Sequence, residues 1–213
     1  EGLVADELAS LGVRRTRAEK GGVACRLTSR QLYAANLFLR CATRVLVRVT
    51  RFEASSFADL ENAAARLDWA PWLTPGVSAR FRVTTRRSRL WHDKAVADRF
   101  TRSLGSNSVG SAEQLVIVRA VGNQFTVSVD ASGAPLHQRG WRKATARAPL
   151  RESVAAGMLV AAQWDPVTPL ADPMCGSGTI AIEAALVATG VAAGTGRPMA
   201  LQSWPCFEPG TWA

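Results

Sequence analysis

A chain of 213 residues, 47% of them hydrophobic, is long and apolar enough to bury more than one core, so an intrinsically disordered protein is not expected. Lys and Arg number 26 against 17 acidic residues, and the resulting net charge of +9 makes a polyanionic partner one expectation. Because an Arg-rich genome would produce the same excess, only the positions of the charges along the chain can indicate whether a polyanion is bound.

Cysteine usage and hydropathy narrow the class further. The four cysteines stand at wide, irregular spacings without a C-x-x-C pair, and only two histidines could supplement them, so no metal site is predicted. The most apolar stretch, residues 179–193, is too short to cross a bilayer and contains Glu183. No segment resembles a signal peptide. We therefore expect a cytoplasmic protein without membrane contact.

The beginning of the chain alternates helices and strands on a short pitch. Apolar residues at helical spacing predict a first helix that stops at Gly12, and Gly21-Gly22 predicts the turn of a strand pair. Thr28 and Gln31 form a capping box for a second helix, which runs to about residue 40.

A strand and a third helix complete the first predicted domain. Alternating valines predict a strand over residues 43–52 with one solvated face, and Ser56 is placed to cap the helix that follows. Trp, Pro and Gly residues between 69 and 76 mark a boundary. Residues 1–73 are therefore predicted to form a compact α+β domain.

The pattern restarts in residues 74–131, which we predict to be a second α+β domain. A strand begins near Ala79, and a helix covers residues 93–104. Two β-rich runs are then joined by Gly122-Asn123, a dipeptide suited to the positive φ angles of a tight hairpin.

The last third of the chain changes character after a polar, basic connector, residues 132–150. A helical run begins near Arg151, a short strand is predicted over residues 169–172, and a helix begins after Gly178. A strand, a glycine-rich loop and a helix in this order are typical of the start of a doubly wound α/β domain, here residues 151–213.

The loop Asp172-Pro-Met-Cys-Gly-Ser-Gly-Thr179 carries the strongest chemical signal. Gly176 and Gly178 let the backbone turn sharply and approach a ligand at a helix N-terminus, which predicts a nucleotide-like cofactor. No Lys follows Gly178, so a phosphate-binding loop of the ATPase type is excluded. The spacing of the glycines alone suits a nicotinamide dinucleotide equally well.

This octet, with the Ile-Ala-Ile-Glu-Ala-Ala run that follows Thr179, resembles the cofactor motif of class I RNA guanine-N2 methyltransferases that carry a THUMP domain. Residues 130–142, 148–156 and 204–207 resemble further segments of that family. The resemblance implies an α+β ferredoxin-like domain over 1–73, an α/β THUMP domain that binds RNA over 74–131, a connector, and the start of a Rossmann-like methyltransferase domain over 151–213.

S-adenosylmethionine is the cofactor that the resemblance implies. The residues expected to bind or flank it are Asp172, Pro173, Cys175, Gly176, Ser177, Gly178 and Thr179 of the loop and Arg151, Glu152 and Ser153 of the preceding helix. The Asn/Asp-Pro-Pro-aromatic motif with which such enzymes orient the target amine does not occur in these 213 residues. The catalytic residues therefore remain unassigned, and we expect the chain to act as an inactive N-terminal fragment.

Charge position favours an RNA partner. Residues 80–102 hold eight basic residues against two acids, which is six of the nine excess positive charges. Trp91 and Trp141 lie among basic residues and could stack on bases. The predicted RNA contacts are Arg80, Arg82, Arg86, Arg87, Arg89, Lys94, Arg139, Arg142 and Lys143.

These observations lead to one expected function and leave alternatives open. The resemblance implies methyl transfer to the N2 amine of guanine, with ribosomal RNA of the large subunit favoured over transfer RNA. A non-catalytic RNA-binding module, a transfer RNA guanine-N2 methyltransferase and a nicotinamide-dependent oxidoreductase are the alternatives.

Overall fold

We describe the protein from a computed structural model, which covers residues 1–74, 77–104, 113–142 and 149–212. The helices and strands in these residues are, in chain order, α1 (Gly2–Ser10), β1 (Thr16–Glu19), β2 (Gly22–Cys25), α2 (Ser29–Phe38), β3 (Leu46–Glu53), α3 (Phe57–Ala65), β4 (Ser78–Arg86), α4 (Asp93–Ser103), β5 (Glu113–Val121), β6 (Gln124–Asp130), α5 (Glu152–Ala161), α6 (Thr179–Ala188) and α7 (Pro209–Trp212). A short 3-10 helix, Ala200–Ser203, precedes α7.

The chain separates into two compact units. The first unit comprises Glu1–Val45, Ala134–Pro198 and Glu208–Ala213, and the second comprises Leu46–Gly133 and Met199–Phe207.

Helices and a small hairpin make up the first unit. β1 and β2 pair antiparallel around Gly21, whose φ of +81° is the left-handed conformation that the tight turn requires. Helix α2 begins at the predicted capping box, where the Thr28 hydroxyl accepts a hydrogen bond from the Gln31 N–H at 3.2 Å and the Gln31 side chain accepts one from the Thr28 N–H at 3.1 Å. Helices α5 and α6 pack against each other.

The second unit is built on a four-stranded mixed sheet with the strand order β3-β6-β5-β4. Strands β4 and β5 are parallel, because α4 carries the chain back across the sheet between them, and the other pairs are antiparallel. The predicted hairpin between β5 and β6 is confirmed, with Gly122 at a φ of +61°.

The core of the second unit lies on one face of this sheet. Phe100 of α4 is fully buried and stacks on Phe81 of β4 with ring centroids 5.3 Å apart. Leu60 of α3 is also fully buried, as are the inward residues Phe125 and Val127 of β6. Each side chain of this size stabilises the fold by roughly 1.5–3 kcal/mol when it leaves water. The helices and the inward strand residues therefore hold this unit together.

The division of the chain differs from the predicted boundary at residue 73. Strand β3 pairs with β6 over seven aligned residues, from Leu46 opposite Asp130 to Glu53 opposite Gln124, so β3 and the helix after it belong to the second unit. The late segment Met199–Phe207 also belongs to it, because the buried Trp204 donates from Nε1 to Gln114 Oε1 at 2.7 Å. Both contacts join residues that are distant in sequence.

Residues 169–172 form no strand in the described structure, and the prediction of a strand there is wrong. A strand needs a neighbour to pair its backbone N–H and C=O groups, and none of the described strands pairs with this segment. The flanking helices predicted near Arg151 and after Gly178 are confirmed as α5 and α6.

Candidate functional site

The loop before α6 adopts the sharp turn that its glycines predict. Gly176 and Gly178 have φ angles of +54° and +74°, in the left-handed region that residues with a Cβ rarely adopt. Gly178 is the N-cap residue of α6, and its N–H donates to the Cys175 carbonyl at 2.7 Å. Asp172 closes the start of the loop, since its Oδ1 accepts from the Met174 N–H at 3.2 Å.

The surface of this loop is open. A Cβ built on Gly176 would meet nothing within 4 Å, and one on Gly178 would meet only the Ile182 side chain, at 3.7 Å. Pro173 and Cys175 are exposed. The loop therefore presents free space beside the N-terminus of a helix, where backbone N–H groups and the helix dipole favour a negatively charged group of a ligand.

Arg142 joins this loop to the first turn of α5. Its guanidinium donates from Nε to Glu152 Oε1 at 2.9 Å, from Nη1 to Ser177 Oγ at 3.2 Å and from Nη2 to Thr179 Oγ1 at 3.1 Å. The structure thus brings the predicted cofactor residues of the loop together with Glu152. Ser153 is buried next to Glu152, whereas Arg151 is exposed.

Arg139 is buried, with 4% of its surface exposed, and the prediction that it contacts RNA is corrected by this position. Its Nε donates to Glu183 Oε1 of α6 at 3.3 Å, and its two terminal nitrogens each donate to a backbone carbonyl at 2.7 Å. Arg142 has a side chain that is only 14% exposed and is likewise committed to partners within the chain. Both guanidiniums are therefore withheld from phosphate groups.

Basic residues of the second unit, by contrast, lie at its surface. Arg80, Arg82 and Arg86 alternate along β4 on the sheet face opposite α4, and all three are exposed. Arg80 forms an exposed ion pair with Glu113 at 3.3 Å. The remaining exposed members of the predicted set are Arg87, Arg89 and Lys94, while Lys143 lies outside the described residues.

Three more arginines share this sheet face, and the sequence analysis did not assign them. Arg119 of β5 is aligned with Thr84 of β4, and both Arg119 and Arg51 of β3 are aligned with Thr126 of β6. Aligned residues in neighbouring strands point to the same face of a sheet. Arg48 of β3 is placed there by its alignment with Ser128. The alignment between strands shows that these arginines lie on one face. The alternation of residues within a single strand could not predict which strands are neighbours.

Trp91 stands next to this basic surface with 73% of its area exposed. The turn that carries it is fixed, because the Thr85 hydroxyl donates to the Trp91 carbonyl at 2.9 Å and the Arg89 N–H donates to Asn123 Oδ1 at 3.2 Å. An exposed ring on a fixed turn among arginines is suited to stacking on an unpaired base.

Comparisons with known proteins identify two segments of the chain. The RlmL ferredoxin-like domain matches residues 1–46, and the RMKL-like methyltransferase domain matches residues 139–206. The chain is therefore similar to the RMKL-like methyltransferase domain over its last third. The ferredoxin-like fold predicted for the beginning of the chain is thereby confirmed, while the THUMP assignment of the second unit stays a prediction.

Two relatives show how this chain compares in sequence. A Synechocystis protein named provisionally as RNA methyltransferase slr0064 is 32% identical over 227 residues, which cover 100% of this chain and 58% of that protein. Ribosomal RNA large subunit methyltransferase K/L of Aliivibrio salmonicida is 36% identical over 219 residues, which cover 98% of this chain and 30% of the relative. The chain therefore spans between about a third and three fifths of these proteins.

Solved structures also match this chain over nearly its whole length. A Listeria monocytogenes protein described as a predicted N6-adenine-specific DNA methylase has a TM-score of 0.92 at 30% identity, over 100% of this chain and 58% of its own. SMU.472, described provisionally as a methyltransferase and crystallised with SAH, has a TM-score of 0.89 at 26% identity, over 99% and 59% respectively. S-adenosylhomocysteine (SAH) is the product that S-adenosylmethionine leaves after methyl transfer.

The two histidines of the chain have roles other than binding phosphate. His92 Nδ1 accepts a hydrogen bond from the Ala95 N–H at 3.3 Å and so caps α4. Burial lowers the pKa of His137, which keeps its imidazole neutral at neutral pH.

Metal binding and membrane insertion each require a particular arrangement of residues. Among the described residues, no cluster of three or more His, Cys, Asp or Glu side chains is arranged to hold a metal ion. None of the helices in the described ranges is long and apolar enough to cross a membrane.

Proposed function

We propose that this protein binds S-adenosylmethionine at the loop Asp172–Thr179 and that the complete gene product methylates RNA. The observation that carries the proposal is the open, left-handed turn at Gly176 and Gly178 at the head of α6. It is supported by SMU.472, which matches this chain over 99% of its length and was crystallised with SAH. The nicotinamide alternative has no such structural relative among the proteins described above.

The chain's own residues supply the shape of the cofactor site. Gly176 and Gly178 would let the backbone approach the cofactor closely, and the positive end of the α6 dipole would favour a negatively charged group of it. Asp172 holds the turn through Met174. When bound, S-adenosylmethionine supplies an electrophilic methyl group on a sulfonium centre. The aromatic motif with which the resembling family orients the target amine does not occur in these 213 residues.

We further propose that the substrate is the N2 amine of guanine in large-subunit ribosomal RNA. The name of the Aliivibrio relative, at 36% identity, supports the RNA class, and the motif resemblance supports guanine N2. The second unit would act as the THUMP domain and bind RNA through its arginine-rich sheet face, and the target base would leave its stack to reach the cofactor. A ribosomal RNA substrate would also place the enzyme in the cytoplasm.

The Listeria protein, described as a DNA methylase, raises a second candidate substrate, adenine N6 in DNA. Mass spectrometry of nucleosides from a deletion strain separates the two, because loss of N2-methylguanosine from ribosomal RNA supports our proposal. Loss of N6-methyladenine from DNA would replace our proposal with the adenine substrate. Loss of N2-methylguanosine from transfer RNA would change the proposed RNA but leave the proposed reaction intact. A strain with no change in either nucleic acid would favour a non-catalytic RNA-binding module.

Gly178→Val tests the cofactor loop. A β-branched residue at a φ of +74° is strained by roughly 1–3 kcal/mol and alters the turn, so we expect SAH affinity to fall at least tenfold by calorimetry on the complete gene product. The matched control is Gly190→Val, just beyond the C-terminal end of α6, where φ is +67° and a Cβ would meet nothing within 4 Å. The control should lose stability and retain affinity. Equal affinity in both variants would remove the loop from the site.

A further inference from the structure

Arg142 makes a set of contacts that a surface arginine would not make. Besides its bonds to Glu152, Ser177 and Thr179, it donates from Nη2 to the Leu150 carbonyl at 3.1 Å. Its side chain is 14% exposed and that of Glu152 is 7% exposed, so the ion pair is largely shielded from water. A planar guanidinium can hold four partners in fixed directions at once, which a lysine ammonium cannot do.

Two of these partners flank the glycine that shapes the loop. Ser177 and Thr179 are the neighbours of Gly178, and their hydroxyls lie 3.3 Å from each other. Holding both hydroxyls fixes the peptide groups on either side of Gly178, whose own conformation is otherwise weakly restricted. The remaining two partners, Leu150 and Glu152, lie at the start of α5. Arg142 therefore ties a flexible loop to a helix end.

We propose that Arg142 is a positioning residue that holds the loop 172–179 in the shape that binds S-adenosylmethionine. This inference rests on the proposed function. A loop that is already ordered before the ligand arrives loses less conformational freedom on binding, so its affinity is higher. Arg142 acts through Ser177 and Thr179 and need not touch the cofactor itself.

Two substitutions test this role on the complete gene product, with SAH affinity measured by calorimetry and thermal melting measured without ligand. Arg142→Lys keeps a positive charge beside Glu152 but loses the fork, and Arg142→Gln loses both. We expect the dissociation constant for SAH to rise at least fivefold in Arg142→Lys and tenfold in Arg142→Gln. Arg142→Lys should lower the melting temperature about as much as Arg139→Lys, because each variant keeps a charge beside a buried carboxylate and loses the guanidinium fork.

Arg139→Lys is the matched control. Arg139 is also buried and paired with a carboxylate, that of Glu183 in α6, but it donates to no hydroxyl of the loop. This variant should melt at a lower temperature and bind SAH with an affinity within twofold of the parent. If the two arginine variants change affinity and melting temperature in the same proportion, Arg142 is merely structural and the inference is wrong.

A double-mutant cycle keeps the test decisive if the control does not fold. Ser177→Ala combined with Thr179→Val removes both hydroxyls that Arg142 holds. If Arg142 acts through them, Arg142→Gln should weaken SAH binding less than twofold further in that background, whereas fully additive effects would overturn the inference. A parent protein that binds no SAH would instead overturn the proposed function, so the two failures are distinguishable.

Discussion

Arg139 and Arg142 stand three residues apart in a basic segment, and both were predicted to contact RNA. In the structure both side chains point inward and bind carboxylates that are distant in sequence. Glu183 lies 44 residues after Arg139, and Glu152 lies ten residues after Arg142. A count of nearby charges cannot detect partners that only the fold brings close.

Arg139→Met should destabilise the protein by about 3–5 kcal/mol, because it leaves the carboxylate of Glu183 buried with its remaining arginine, Arg40, at 3.7 Å. Unfolding in urea, followed by circular dichroism, measures this loss. The control is Arg80→Met, where both partners of the ion pair are more than half exposed, and we expect it to cost about 0–1 kcal/mol. Equal losses in the two variants would show that the buried cluster adds no stability.

At the scale of helices and strands, local signals predicted most of the fold. The capping box at Thr28, the N-cap at Ser56 and the turn at Gly122 depend only on neighbouring residues, and all three are confirmed. The prediction failed where pairing over long distance decides the outcome. Strand β3 was assigned to the first domain because its partner, β6, lies more than 70 residues later. The same limitation hid the arginines of β3 and β5 from the predicted RNA surface.

The capping box of α3 makes stability depend on pH. The hydrogen bond from Ser56, followed by those from the backbone of Ser55 and Ser56, lowers the pKa of Asp59 from its ordinary 3.8. A carboxyl group whose pKa is lowered by folding stabilises the folded state at pH values above its ordinary pKa. This contribution is lost as the pH falls through the lowered pKa. Below about pH 4 the cap of α3 therefore weakens.

Ser56→Ala should remove the largest cause of this shift and move the pKa of Asp59 back towards 3.8, which NMR titration would detect. The lost bond to the Asp59 N–H should also cost roughly 1 kcal/mol of stability at neutral pH. Thr28→Ala is the control, since its capping box uses Gln31, which does not titrate. A similar change in the acid limb of stability in both variants would contradict the role of Asp59.

Across the whole molecule, the excess of nine positive charges is distributed unevenly. In the first unit, Arg139 and Arg142 form ion pairs with internal carboxylates. The sheet face of the second unit, by contrast, exposes six arginines: Arg48, Arg51, Arg80, Arg82, Arg86 and Arg119. The acids aligned with this face are Glu53, Glu113 and the buried Asp130, against six exposed arginines, so the surface remains positive. Such a surface binds the phosphates of a nucleic acid with an affinity that falls steeply as the salt concentration rises.

Changing Arg86, Arg87 and Arg89 together to Ala should weaken binding to structured RNA several-fold and lower the salt dependence by about two to three released counterions, as measured by filter binding over a range of KCl concentrations. Removal of three charges anywhere would lower non-specific attraction somewhat, so the control must match the charge. Arg14, Arg15 and Arg17, all exposed in the first unit, provide it when changed together to Ala. If RNA contacts the second unit at the turn beside Trp91, the control should retain a salt slope close to that of the parent. Identical slopes in the two triple variants would mean that net charge alone attracts the RNA and that the basic surface around β4 has no particular role.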